Sequence, residues 1–271
     1  MVYEQQLYSI REVSEITGVK PVTLRAWQRR YNLVQPKRTE KGHRLFSEED
    51  LTRIQEIQSW LNKGISIGKV AELLDKSQTI EAVSVDNVHP YLDEFEPVLE
   101  ALTQLKRRRL VQMINSVLKE YPLDIVMERL IFPILDALDK MKSSVRSISK
   151  ALLQSVLISK LSMIMESENR VSRKGNCLFI SLDPAGSLYA WLKASLIVND
   201  GYALTFLDGV EDLAGLNNEL LSEPYDRVMI FANKALNDIQ LAHIKRISES
   251  ATGYVEYSDV ICRLHLLGES S

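Results

Sequence analysis

Apolar residues recur at helical spacing through the first two thirds of the chain and gather into short continuous runs in the last third. Ile10, Val13 and Ile16 are three residues apart, which predicts a short helix with one inward stripe. Ser9 and Glu12 stand at its start in capping-box spacing, so the hydroxyl can serve the Glu12 amide while the carboxylate reaches back. Gly18 is the expected stop, since glycine takes a left-handed conformation without steric cost. Pro21 then opens a second helix, where its missing N–H is no loss. On a wheel of about 100° per residue, Leu24, Trp27 and Tyr31 cluster on one side. Arg25 and Arg29 lie opposite, with Thr23 and Arg30 flanking them. Two short helices joined by a tight glycine-containing turn make a helix-turn-helix outline.

The segment "NLVQPKRTEKGHRLF" (32–46) holds a Thr-Glu-Lys-Gly turn between basic residues. It predicts a two-stranded wing, with Lys37 and Arg38 on one strand and His43 and Arg44 on the other. Ser47 and Asp50 cap a third helix whose inward stripe is Leu51, Ile54, Ile57 and Leu61, and Gly64 ends it. Ser66 is placed at the start of a fourth, with Val70, Leu73 and Leu74 inward. Residues 1–76 therefore read as one domain, and 77–89, where periodicity fades, as a linker. Over 90–174 the stripes return, with apolar residues at 98, 99, 102, 105, 110, 113, 114, 117 and 118 in the first part. They predict about four helices packed as a bundle. In 175–271 the runs "NCLFISL", "YALTFLD", "DRVMIFA" and "GYVEY" have strand length. Helical stretches at 187–199, 210–222 and 235–250 separate them, and that alternation predicts a parallel sheet with helices on its faces.

Charge sharpens the picture. The chain of 271 residues has a formal net charge of -3, but its parts differ: +3 over 1–76, +1 over 77–174 and -7 over 175–271. Between Lys20 and Arg44 there are eight lysines and arginines against Glu40 alone. So polarised a chain points to a polyanion at one end. On an isolated helix such a run usually marks a solvated face, and the Lys106–Arg109 run is read that way. No stretch of about 18 apolar residues is found, so no membrane span is expected. The N-terminus lacks the basic-then-apolar pattern of a signal peptide. Cys177 and Cys262 have no metal-ligand spacing and sit in apolar surroundings, the pattern of free thiols in a reducing compartment. A cytoplasmic protein follows.

The stretch 8–57, with "TLR-x-W-x-x-RY-x-L-x-x-P-x-R" followed by "G-H-R-L-F", resembles the DNA-binding domain of the MerR family of bacterial transcription regulators. The resemblance implies a winged helix-turn-helix that binds, as a homodimer, a palindromic promoter site and acts by distorting the DNA. It carries family DNA contacts onto Thr23, Arg25, Arg29, Arg30 and Tyr31 of the helix and Lys37, Arg38, His43 and Arg44 of the wing, while the wheel position of Trp27 favours the core, with contact of its indole edge to the DNA backbone as the alternative. The rest of the chain resembles a subset of that family whose effector half copies a cobalamin-binding module, a helical bundle plus a Rossmann-like domain. Within that subset the MlrA/BluR-like biofilm regulators keep the shape without the ligand residues. Their signature differs here at Lys20, Asn32 and Lys41, and none of the three removes a basic contact. The fold class expected is thus multidomain α and α/β, with an N-terminal winged helix-turn-helix, a central helical bundle and a C-terminal Rossmann-like parallel α/β domain. Expected partners are double-stranded DNA, a second copy of the chain, RNA polymerase at the promoter and a regulatory protein at the C-terminal domain. By analogy the targets are biofilm or curli-type genes.

The rival reading is a cobalamin-type small-molecule sensor. Ligands of such sheets sit beyond the strand ends, here near Asp183 to Leu188 and Asp208. The loop "DPAGSLY" offers no histidine for cobalt, and no histidine lies between His89 and His243. The tryptophan and Glu-His of the light sensors' bundle are missing too. No cofactor and no metal site is therefore expected. No G-x-G-x-x-G follows a strand, and no triad, P-loop or paired-carboxylate site appears. Asp183 and Asp208 read as turn and cap residues, so no catalytic residue is assigned and the chain is not read as an enzyme.

Overall fold

A computed structural model describes residues 6–75, 90–216 and 225–265. The linker expected at 77–89 lies outside them. The chain forms two compact units, Met1–Leu152 and Leu153–Ser271.

In the first unit β1 (Tyr8–Ser9) leads into α1 (Ile10–Thr17). Both bonds of the Ser9–Glu12 capping box form, and Gly18 ends the helix at φ 74°. The inward stripe differs from the expected one. Val13 is buried, but Ile16 is 53% exposed, and the half-buried position on the next turn is Thr17. Thr17 Oγ1 caps its own helix end by donating to the Val13 carbonyl at 2.7 Å, which accounts for its place on the inner side. α2 (Pro21–Tyr31) follows, closed by Asn32 in the left-handed region. The wing is β2 (Lys37–Arg38) against β3 (Arg44–Phe46), and β1 adds to the other edge of β3 to give the order β1-β3-β2. Two residues are too few for the alternation that reveals a strand, so β1 has no sequence signal. α3 (Glu48–Asn62) carries the expected Ser47–Asp50 capping box, and α4 (Ile67–Asp75) buries Val70 and Leu74.

The helices expected after residue 90 are α5 (Phe95–Thr103), α6 (Arg107–Glu120), α7 (Leu123–Val126), α8 (Phe132–Asp139) and α9 (Ser143–Asn169). A π-helical turn, Met127–Ile131, joins α7 to α8. In α-helical register the donor to the Arg129 carbonyl would be residue 133, which is a proline. The N–H of Leu92 donates to that carbonyl instead, at 3.0 Å. α9 spans the division between the two units. By length and composition it is apolar enough to cross a membrane, with a mean hydropathy of 1.3 in its most apolar window, contrary to the expectation that no stretch qualifies. Its Leu153, Val156, Leu157 and Leu161 are buried in protein, Ile148 and Met163 are exposed, and Lys150 pairs with Asp139 at 2.7 Å.

The second unit is built on four parallel strands, β4 (Asn176–Ser181), β5 (Ala203–Leu207), β6 (Arg227–Phe231) and β7 (Tyr254–Tyr257), in the order β5-β4-β6-β7. Alternate residues of β4 serve two cores. Cys177 and Phe179 pack with Ala190 and Ala194 of α10 (Leu188–Asn199) and with Met165 of α9. Leu178 and Ile180 pack with Ile244 and Ile247 of α11 (Asp238–Ser250) and with Ile261 of α12 (Asp259–His265). Helices thus cover both faces, which is why these strands read as unbroken apolar runs. The helix expected at 210–222 is not found over 210–216, and its remainder lies outside the described residues.

Candidate nucleic-acid interface

Arg25 and Arg29 are four residues apart on α2 and therefore share a face, and both are exposed. The wing brings a second pair. In the β2–β3 ladder Lys37 is opposite Leu45 and Arg38 is opposite Arg44, so two guanidinium side chains leave the ribbon on the same face. The turn between the strands is tied by the Thr39 amide donating to the His43 carbonyl at 2.9 Å and by the His43 amide donating to Thr39 Oγ1 at 3.0 Å. Gly42 takes φ 81° there, as a tight turn requires. Lys37, Arg38 and His43 are exposed.

Arg44 links wing to helix. Its Nε donates to Gln28 Oε1 of α2 at 2.6 Å, while its Nη2 is buried with no acceptor among the described residues. Burial, and then the positive charges of Arg38, Arg29 and Arg25, lower its proton affinity from the usual arginine value, though an arginine stays charged. Arg38, Arg29 and Arg25 therefore lie close enough to Arg44 for their charge to be felt there. Among the described residues Arg25, Arg29 and Arg38 make no hydrogen bond or ion pair. A protein gains nothing in stability from gathering like charges without partners, so a polyanion is the natural complement.

Three residues expected to face DNA are placed otherwise. Thr23 is 2% exposed, closed in beside Leu24 and Trp27, and offers almost no surface. Arg30 and Tyr31 turn to the carboxylate of Glu120, at the end of α6. Arg30 Nη1 pairs with Oε1, and the Tyr31 hydroxyl donates to Oε2 at 2.6 Å. Burial, and then the charge of Glu94, push the Tyr31 phenol up from its usual value. Trp27 is in the core as expected, and its Nε1 donates to the Glu120 backbone carbonyl at 2.7 Å. Glu120 is 93 residues from Trp27 along the chain, and no local pattern signals so distant a partner.

At the C-terminal ends of the strands the second unit is closed on itself. Asp208 Oδ2 accepts from the Gly186 amide and from Trp191 Nε1, both at 2.9 Å. Asp183 accepts from Ser187 and from Asn233. A Cβ on Gly209 would come within 2.7 Å of the Ala185 backbone, so the two loops touch. This loop has no imidazole; Asp183 and Asp208 Oδ2 are already bonded, and Asp208 Oδ1 is buried without a partner among the described residues. The residues present do not fit a cobalt-ligating site. His265 is engaged elsewhere, its Nε2 accepting from the Leu236 amide at 2.9 Å.

Comparison with known proteins agrees with this geometry. The profile of the MerR HTH family regulatory proteins matches residues 8–77. The HTH-type transcriptional regulator MlrA of Escherichia coli K12 is 30% identical over 201 residues, covering 74% of this chain and 79% of that protein. The HTH-type transcriptional repressor CarH of Myxococcus xanthus is 25% identical over 127 residues, 44% of this chain and 42% of its own length. The regulator ZntR of Escherichia coli K12 is 26% identical over 107 residues, 40% and 71% respectively. These relatives are transcriptional regulators. The chain belongs to the MerR family of helix-turn-helix transcriptional regulators.

Proposed function

We propose that the protein is a cytoplasmic, sequence-specific regulator that binds a palindromic promoter site as a homodimer, through Arg25 and Arg29 of α2 and Lys37, Arg38, His43 and Arg44 of the wing. The observation that carries this reading is the convergence of Arg25, Arg29, Arg38 and Arg44, felt at Arg44 and matched by no carboxylate among the described residues. Helix arginines suit the major groove and wing cations the flanking phosphates. A dimer is favoured by energetics. One such domain meets about four phosphates, whereas two give a salt slope near -7 on a log-log scale and an affinity able to select a site.

The second unit, with its negative charge, serves as a partner-docking or effector module, and RNA polymerase is the partner expected at the promoter. Biofilm or curli-type target genes rest on the resemblance alone. The test is to map genomic sites bound by the full chain and to titrate the recovered duplexes at several salt concentrations. Palindromic sites bound by two protomers with a steep salt slope are expected. Binding that ignores ionic strength overturns the reading.

A further inference from the structure

Glu120 is a carboxylate at the last position of α6, and its side chain is 7% exposed. Three side chains serve it: Arg30, Tyr31 and Ser116, the last donating to Oε1 at 2.7 Å. Arg30 also donates to Ser116 Oγ at 3.0 Å. The partners are unequal. The Arg30 side chain is 47% exposed, so it reaches in from the surface and can swing out without opening a core. The seat of α2 does not depend on this carboxylate, because Trp27 is fixed by the backbone carbonyl of residue 120. Further ties between the helix-turn-helix and the bundle are also separate from it. Tyr121 Oη accepts from the Ile67 amide at 3.2 Å, and Arg129 Nη2 donates to the Asn62 carbonyl at 2.5 Å. The Glu120 side chain therefore neutralises the last cation of the recognition helix without being needed to hold that helix in place.

We propose that Glu120 is an autoinhibitory latch, which withholds Arg30 and Tyr31 from the phosphate backbone until the end of α6 moves. The bundle thereby sets how much positive charge the DNA-binding face presents. One ion pair is the connection, and no change in the fold of the helix-turn-helix is required. The inference rests on the DNA-binding reading above.

The test is a double-mutant cycle on the full chain, read by fluorescence anisotropy with a labelled random-sequence duplex over a range of salt. Such a duplex reports phosphate neutralisation whatever the operator is. Glu120→Ala is expected to steepen the salt slope by about one unit per protomer, the value of one added phosphate contact. Arg30→Ala alone should leave the slope of the parent chain, and the double variant should return to it. Glu120→Gln keeps the volume and serves if the alanine variant does not fold. It should steepen the slope by a smaller amount, removed again by Arg30→Ala. An unchanged slope in both Glu120 variants, or a slope that Arg30→Ala lowers in the parent chain, overturns the latch while leaving DNA binding intact. A parent chain with no salt dependence overturns the DNA-binding reading itself.

Discussion

Arg38 and Arg44 stand directly opposite each other in the ladder between β2 and β3. Like charges in that relation disfavour a two-stranded ribbon, and among the described residues no carboxylate pairs with either. The wing is thus held in a form that a phosphate backbone would relieve. Arg38→Thr should leave the melting temperature unchanged or raise it, since about 0.2–1 kcal/mol of repulsion is removed. The same change should weaken duplex binding and reduce the salt slope by about one per protomer. Thermal melts and anisotropy titrations on one preparation separate the two effects.

Arg44→Ala removes a guanidinium that is bonded to Gln28 and whose Nη2 has no acceptor among the described residues. Loss of this phosphate contact should weaken binding about equally across duplex sequences and lower the salt slope by about one per protomer. Titration at moderate salt decides it, and unchanged affinity would remove Arg44 from the interface.

Trp27 is fully buried, and its indole is bonded to the Glu120 carbonyl. Trp27→Ala should destabilise the first unit by about 3–5 kcal/mol, and Trp27→Phe by less, because the ring volume is largely kept. Chemical denaturation should show the order, with DNA binding lost in step with folding.

Burial holds the Cys177 thiol up at about 12 against an ordinary 9.0. The folded state therefore keeps a proton that the unfolded chain releases, so stability is full below pH 9 and falls as pH rises through the interval to 12. A Cys177→Ala variant should show a shallower decline over that range. At neutral pH a thiol reagent should reach the half-buried Cys262 in the folded protein, and Cys177 only after denaturation.

Adenosylcobalamin should leave the visible spectrum of its mixture with the protein unchanged and should not co-elute with the chain on gel filtration. The loop from Asp183 to Leu188 has no imidazole, and its groups are engaged with Asp208 and Asn233. Co-elution would revive the sensor reading.

What the sequence disclosed is what short-range physics determines. The capping boxes at Ser9 and Ser47, the proline start of α2, the Gly42 turn and the four parallel strands depend on residues a few positions apart or on runs buried from both sides. What it concealed depends on distant partners. Ile16 matches a helical stripe, yet the core passes through Val13 to the next turn. Arg30 and Tyr31 fall within a DNA-facing motif, and only the packing of α2 against α6 reveals the carboxylate that takes them. The four-residue α7 and its π-helical continuation could not be told from one ordinary helix, since a register shift leaves the apolar content unchanged.

Pro133 turns that shift to use. A residue unable to donate leaves an acceptor on the flank of the bundle, and the Leu92 amide fills it just before α5. The approach to α5 is thereby tied to the π-helical turn. A Pro133→Ala exchange would supply a donor from within the helix, in competition with Leu92 for the Arg129 carbonyl.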